Sequence, residues 1–347
     1  MALRELLERA WWRPRWSLIA ALLWPLSGVY CALRWAAQGP WRAGWRKPWC
    51  PPVPVVVVGN LVVGGAGKTP TVIALAKALE RRGWRPGIVS RGYGGHRKDA
   101  QQPVEVTADA AAQKVGDEPL LMMRRTGRPV WVSADRARAV KALCAKHPAV
   151  DVIISDDGLQ HLALHRDAQL LVFDERGAGN GWCLPAGPLR EPLPPLLPAR
   201  TLVVYNAARP STPLPGECVS RRLAGLTPLA QWWRGAHLGA ADPAPLEPWR
   251  GRRVLAAAGI GHPERFFHML EEAGLKVDRL PLPDHAPLNP RPWPLETPAV
   301  IVTEKDAVKL SPEAPDAPAI QVATLDFELP DDTVDALEQW LLPLRRN

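Results

Sequence analysis

Short, mostly apolar runs alternate along the chain with stretches whose apolar residues recur every three to four positions. Val53 to Val58 is the first such run; Pro86 to Ser90, Val130 to Ser133, Val150 to Ser155 and Leu170 to Asp174 follow. Runs of this kind are strands buried on both faces, as in parallel sheets. Thr71 to Arg82 and Ala134 to His147 carry helical spacing between them, and an apolar helix follows Pro119. This strand, helix, strand order predicts an α/β fold with a mostly parallel sheet flanked by helices. A second set begins with the strand Arg253 to Ala258 and the helix Pro263 to Ala273. Strands at Val277 to Leu280, Ala299 to Val302 and Ile320 to Ala323 follow, with a helix after Thr303 and a closing one over Asp331 to Leu342. They predict a second, smaller α/β domain. Between 206 and 250 periodicity is lost to Pro, Gly and Arg, so a linker is expected there, with short strands near Ala230 to Arg234. The expected partition is an N-terminal segment 1–50, a main domain 51–205, the linker 206–250 and a smaller domain 251–347.

The first strand leads through Gly59-Asn60 into Gly64-Gly65-Ala66-Gly67-Lys68-Thr69-Pro70, just ahead of a helix. Strand, glycine-rich turn and helix start make an anion cradle. Glycine lets backbone N–H groups curl around phosphate oxygens, and the helix N-terminus adds partial positive charge. In such phosphate loops (P-loops) the lysine reaches the outer phosphates of ATP and the next hydroxyl ligates Mg²⁺, which are the roles open to Lys68 and Thr69. The strict G-x-x-x-x-G-K-[ST] spacing is not kept, because Val62 stands where the first glycine belongs. The adjacent Gly64 and Gly65 supply the turn instead. An ordinary strand-to-helix turn carrying a lysine is the plainer alternative. The Val150 to Ser155 strand closes with Asp156-Asp157-Gly158-Leu159-Gln160-His161. A carboxylate ending an apolar strand is the Walker B arrangement, where Asp holds Mg²⁺ directly or through water. Paired aspartates also cap helices and make turns.

Three further loops carry polar chemistry. Arg91-Gly92-Tyr93-Gly94-Gly95 lies at a strand's carboxyl edge, where ligands of open α/β sheets gather. Gly116-Asp117-Glu118-Pro119 sets two carboxylates before an apolar helix, and Asp117 as N-cap with Pro119 in the first turn explains them equally well. Leu184 to Pro192 offers Arg190 for phosphate and Glu191 for metal between stiff prolines, or is a structural crossing.

Charge changes the picture at the N-terminus. Residues 1–50 hold eight basic residues against two acidic ones, so they carry +6 of the chain's formal +8. Eight of the sixteen tryptophans lie there too, at 11, 12, 16, 24, 35, 41, 45 and 49. The uncharged run Trp16 to Leu33 has basic flanks on both sides and Pro25 interrupting its centre. Interfacial tryptophans, arginines and a run at the short limit for spanning predict a membrane-associated helix. Symmetric flanking charge gives no orientation and favours a helix lying on an anionic cytoplasmic surface over a true span. A cleaved signal peptide would export a nucleotide site away from ATP, and a buried core helix suits so many arginines and tryptophans poorly. Five cysteines show no C-x-x-C and no pairing rhythm, consistent with a reducing compartment and with no zinc site. The basic excess is confined to the Trp-rich segment, which argues against nucleic acid as a partner.

The motifs resemble, in order and together, those of the tetraacyldisaccharide 4'-kinase family, the lipid A kinases of Gram-negative bacteria. The likeness rests on Gly59-Asn60 with Gly64 to Pro70, Ser90-Arg91-Gly92-Tyr93, Gly116 to Pro119, Ser133-Ala134-Asp135-Arg136, Asp156 to His161, Leu184 to Pro192, Pro283-Asp284-His285 and Thr303-Glu304-Lys305-Asp306. The 206–250 stretch contributes no motif. The resemblance implies a P-loop NTPase-like kinase that passes the ATP γ-phosphoryl group to the 4'-hydroxyl of an acylated glucosamine disaccharide 1-phosphate at the inner-membrane surface, with no obligatory protein partner. It implies Thr69, Asp156 or Asp157, and Glu191 around Mg²⁺, with Lys68 and Arg190 on the phosphates. Asp117 would take the acceptor proton, partnered across a domain cleft by His285, which Asp284 orients. Arg91 and Tyr93 would meet the substrate's sugar or phosphate, and Thr303 to Asp306 would border the adenine. The rival reading is a membrane-associated partitioning or targeting ATPase acting on a protein. Such ATPases carry a lysine just before the glycine pair, where this chain has Val63.

Overall fold

The computed structural model describes residues 2–13, 17–95, 99–219, 221–235, 246–313 and 319–345. Its first elements are α1 (Ala2–Trp11) and the 25-residue α2 (Leu18–Arg42), whose N-cap Ser17 accepts from the Ala20 amide at 3.1 Å. Trp16, which opens the apolar run, lies outside the described residues. α2 runs unbroken through Pro25 and Pro40, against the expectation that Pro25 interrupts it. An interior proline costs about 3 kcal/mol, and tertiary contacts offset that here. Trp24 meets Trp182 edge-on at 5.8 Å, Ser27 Oγ donates to the Cys183 carbonyl at 2.8 Å, and Tyr30 donates to the Arg190 carbonyl at 2.8 Å. Leu18, Leu22, Leu26, Val29 and Leu33 remain exposed, spaced as one stripe of a helix. By length and composition α2 is apolar enough to cross a membrane.

In chain order there follow β1 (Val55–Gly59), α3 (Lys68–Arg81), β2 (Pro86–Ser90), β3 (Val104–Glu105), α4 (Ala112–Val115), α5 (Asp117–Thr126), β4 (Val130–Val132) and α6 (Arg136–Lys146). Next come β5 (Val152–Asp156), β6 (Ala168–Asp174), β7 (Thr201–Asn206), β8 (Glu217–Cys218), β9 (Arg222–Pro228) and α7 (Leu229–Trp233). The chain closes with β10 (Arg253–Ala258), α8 (Pro263–Glu272), β11 (Lys276–Pro281), β12 (Val300–Thr303), α9 (Glu304–Ala307), β13 (Ile320–Asp326) and α10 (Asp331–Leu341).

These elements form two compact units. The first comprises Met1–Pro86, Pro148–Ser220 and Glu328–Asn347; the second comprises Gly87–His147 and Arg221–Phe327. In the first, β5, β1, β6, β7 and β8 are neighbours in that order and all parallel. Every residue of β1 is buried, as expected of a strand covered on both faces. The second unit has a five-stranded sheet in the order β11-β10-β12-β13-β9, parallel except for β9. Phe266, Phe267 and Leu270 of α8 pack on it with Val254, Ile301 and Leu226. β4 pairs parallel with β2 and antiparallel with β3.

This division crosses the linear partition in two places. Residues 87–147 belong with 221–327, and α10 belongs with the first unit. There Arg82 of α3's C-cap holds Asp335 at 2.6 Å and Glu338 at 3.2 Å, while the Trp84 indole donates to Glu338 at 2.9 Å. The 206–250 stretch is not a linker. β9 is the antiparallel edge of the second unit's sheet, and Ala230 to Arg234 is helical as α7 and its cap, not a strand. Pro and Gly there punctuate short elements whose partner strands lie far along the chain, so local periodicity could not reveal them. Residues 236–245 lie outside the described residues.

Candidate functional site

The phosphate loop belongs to the first unit. It leaves β1 at Gly59, and Gly67 caps α3 in the left-handed region at φ 94°, so that Lys68 begins the helix. Gly64 also has positive φ (90°), and side-chain atoms built on Gly64 or Gly65 would meet nothing within 4 Å. The loop is therefore open on one side and needs glycine for its path. Its back is tied down. Arg190 donates its amide to the Leu61 carbonyl at 2.7 Å, and the Val63 amide donates to the Pro188 carbonyl at 2.9 Å. The Arg176 guanidinium forks onto Asp174, donates to the Gly65 carbonyl at 3.0 Å and stacks 4.0 Å over the Trp12 ring. Asn206 at the end of β7 reaches the Ala66 carbonyl at 3.5 Å. Next to it lies a cleft of about 640 Å³ lined by residues including Glu175, Ala207, Arg209, Ser211 and Thr212.

Lys68, Asp157 and Arg190 meet at this loop. The Lys68 ammonium donates to Asn60 Oδ1 at 3.0 Å and sits 3.7 Å from Asp157, which Arg190 holds at 3.0 Å. Asp157 has φ 48°, a left-handed turn residue directly after buried Asp156, the last residue of β5. Asp156 and Asp157 therefore end one strand beside the loop, in register with Val58 of β1. Thr69 is the second residue of α3 and Pro70 the third, where a missing N–H costs no helical bond. Glu191 accepts from Gln160 at 2.8 Å and pairs with Arg34 of α2 at 3.3 Å. Asn60 and Gln160 stand inside the quoted motifs but had been given no role, and Arg176 and Arg34 were missed as supports, since neither arginine stands at a diagnostic spacing. Carboxylate and hydroxyl oxygens at Thr69, Asp156, Asp157 and Glu191 are the hard donors that suit Mg²⁺. Among the described residues no group of three or more His, Cys, Asp and Glu converges on a metal position. A cation here would draw the rest of its shell from phosphate and water, as Mg²⁺ commonly does.

The acid–base candidates belong to the second unit. Asp117 and His285 are not on opposite sides of a domain cleft; both are in this one unit, and His285 Nδ1 lies 2.9 and 3.0 Å from the two Asp117 oxygens. Gly116, not Asp117, is the N-cap of α5, and Asp117 is the first helical residue with Oδ1 accepting the Glu118 amide at 3.0 Å. Gly116 is left to the turn because its φ of 96° and ψ of 149° suit glycine alone. Asp284 lies 3.8 Å from His285 Nε2, and Tyr93 meets the His285 ring edge-on at 5.4 Å. Arg91 is in the same loop as Tyr93 and exposed.

The Thr303 to Asp306 segment, expected to border adenine, joins this cluster within the second unit. Lys305 pairs with Glu118 and with Asp284, each at 3.1 Å, and lies 3.4 Å from His285 Nε2. Lys309 pairs with Asp306 at 2.9 Å and approaches Asp117 Oδ2 at 3.6 Å. Burial alone would push the Asp117 pKa up, but the His285 hydrogen bond and the Lys305 and Lys309 charges prevail and hold it below the usual carboxylate value. The hydrogen bond to Asp117 raises the His285 pKa above its ordinary 6.5, against burial and the Lys305 charge. Burial opposes the Lys305 charge, yet Glu118, Asp117 and Asp284 raise its pKa.

With this geometry in view, comparison with known proteins decides the family. The profile of the tetraacyldisaccharide-1-P 4'-kinase family matches residues 19–343. The chain belongs to that family. A tetraacyldisaccharide 4'-kinase of Leptothrix cholodnii is 51% identical over 348 aligned residues, covering 98% of this chain and 96% of its own. One of Methylibium petroleiphilum is 54% identical, covering 84% and 81%. The crystal structure of LpxK from Aquifex aeolicus in complex with ATP has a TM-score of 0.73 at 26% identity, covering 93% of this chain and all of that one.

Proposed function

We propose that this chain transfers the γ-phosphoryl group of ATP to the 4'-hydroxyl of a tetraacylated glucosamine disaccharide 1-phosphate, a step of lipid A biosynthesis, at the cytoplasmic face of the inner membrane. Family membership and the names of its relatives support the reaction. The observation that carries the reading is the open glycine loop whose Lys68 shares the Asp157 carboxylate with Arg190. It is a cationic, hydrogen-bonding cradle suited to a triphosphate.

Lys68 and the amides of Gly64 to Thr69 bind the phosphates, with Arg190 set against the charge that spreads over the moving group. The cleft past Asn206 receives the base and sugar of the nucleotide. Mg²⁺, held by Thr69, Asp156 or Asp157, and Glu191, supplies charge neutralisation when bound. Asp117 accepts the proton of the attacking hydroxyl as its oxygen bonds to the γ-phosphorus and the bond to the ADP oxygen breaks. Ionised in the neutral range, Asp117 is ready to act, and the His285 Nδ1–H holds its orientation. Asp284 and Lys305 fix His285 from the other ring nitrogen. Arg91 and Tyr93 contact the sugar or its phosphate. The exposed apolar stripe of α2 enters the headgroup region, so acyl chains stay in the bilayer while the sugar is presented to the site.

γ-labelled ATP, Mg²⁺ and detergent-dispersed tetraacyl disaccharide 1-phosphate test this with the protein and its Lys68→Ala and Asp117→Ala variants. Label on the lipid, lost in Lys68→Ala and cut severely in Asp117→Ala, is expected. Label released only as free phosphate would sink the kinase reading and favour an ATPase acting on a protein partner.

A further inference from the structure

Lys309 is more deeply buried than any role so far given requires. Its side chain is 6% exposed, between Asp306 at 1% and Asp117 at 5%. A lysine taken out of water needs compensation, and this one is shared unequally. It is within hydrogen-bond reach of Asp306 Oδ1 at 2.9 Å and at Coulomb range only, 3.6 Å, from Asp117 Oδ2. Asp306 is itself fixed, because its Oδ2 accepts from the Gly259 amide at 2.9 Å and from the Thr303 hydroxyl at 2.7 Å. The Gly259 carbonyl in turn accepts the His285 amide at 3.3 Å. A side chain at 259 would come within 2.9 Å of Asp306 Oδ1. One carboxylate thus braces both the ammonium facing Asp117 and the turn carrying His285.

We propose that Lys309, restrained by Asp306, is a positioning residue that keeps the Asp117–His285 pair in its proton-accepting charge state, an inference that rests on the reading of Asp117 as the base. The groups facing the pair are Glu118 on α5, Lys305 and Asp306 on α9, Lys309 beyond it, Asp284 beside His285, and Tyr93 from the 91–95 loop. Four carboxylates crowd this cluster, and buried anions bind protons unless cations answer them. Lys305 and Lys309 answer them from two sides. His285 then gives up its proton without stranding Asp117 as an uncompensated anion. Asp306 keeps Lys309 from closing onto Asp117 and blunting it as an acceptor.

The two residues have opposite signatures. In Lys309→Met the pair holds its protons more tightly, so the acidic limb of kcat against pH moves up by about one pH unit, a roughly tenfold loss one unit below the wild-type midpoint. In Asp306→Asn one anion is gone and Lys309 is released to Asp117, so the limb moves down. KM for ATP stays within about twofold in both. A purely structural role would lower activity or stability in both without shifting the limbs apart. Limbs that superimpose on wild type, with Asp117→Asn inactive, overturn the inference and leave the base standing. An Asp117→Asn enzyme with wild-type kcat removes the base assignment and the inference with it. Should Lys309→Met not fold, Asp306→Asn decides alone by the direction of its limb, and an unmoved or raised limb overturns the proposal.

Discussion

Gly116 and Gly127 bound the same helix, α5, and both have positive φ, at 96° and 62°. Replacing each by alanine separates backbone strain from contact. At Gly127 the angles are those of a left-handed C-cap and a Cβ meets nothing within 4 Å. The cost there is only the alanine's left-handed penalty, about 1 kcal/mol. At Gly116 the combination of φ 96° and ψ 149° lies in a region open almost only to glycine, costing about 1–3 kcal/mol for another residue. A Cβ there would also sit 2.6 Å from the Tyr93 carbonyl oxygen and 3.3 Å from Pro119 Cδ. A backbone oxygen cannot swing aside as a side-chain tip does, so the 91–95 loop or the start of α5 must move, at about 1–3 kcal/mol more. The sum is near 4 kcal/mol, or a fall in Tm of about 10 °C for a unit of this size, against about 3 °C for Gly127→Ala. Circular dichroism melts of the two variants measure this. Because Asp117 is the next residue, Gly116→Ala should also cut kcat by about tenfold or more through misplacement, while Gly127→Ala keeps it. Two variants melting within about 2 °C of each other would refute the contact argument.

Three further outcomes are expected. The raised His285 pKa makes its pairing fully stabilising below 6.5 and lost as pH rises through the folded value; the lowered Asp117 pKa makes its share present above 3.8 and lost as pH falls. Urea titrations of wild type and His285→Gln should therefore differ most near pH 5.5 and converge toward pH 9, and a gap that widens with pH would contradict the pairing. Arg176→Ala strips the guanidinium from buried Asp174 and from the Gly65 carbonyl, so stability should fall by about 3 kcal/mol and KM for ATP rise; an unchanged KM would mean the loop holds its shape unaided. Leu22→Glu with Leu26→Glu on the exposed stripe of α2 should weaken sedimentation with anionic vesicles while leaving Tm unchanged, and undiminished co-sedimentation would deny that stripe its membrane role.

Much of the first unit was readable along the chain because its signals are local. β1 is a run of valines, the turn after it is marked by glycines with a lysine and threonine at the helix start, and β5 ends in paired aspartates. Each statement concerns residues within one strand or one turn, where side-chain type limits backbone path directly. The helix after Gly116 was equally plain, though its first residue was not: only the torsion angles of Gly116 decide that Asp117 stands inside the helix and not at its cap. β9 escaped notice because an edge strand of seven residues draws its stability from β13, about a hundred positions later.

What the sequence by itself determined was the inventory: an apolar, tryptophan-rich helix, a phosphate loop with its carboxylates, and a set of short acidic and basic motifs. Hydrophobic period and turn chemistry act over a few residues, so they survive in one dimension. The tertiary structure decided which of those motifs meet. His285 joins Asp117 across 168 positions, Lys305 comes from the motif expected beside adenine and Lys309 from just after it, and α10 returns to pack on α3. Those pairings depend on which buried charges must compensate one another once water is excluded. That requirement has no period along the chain and is met only in three dimensions.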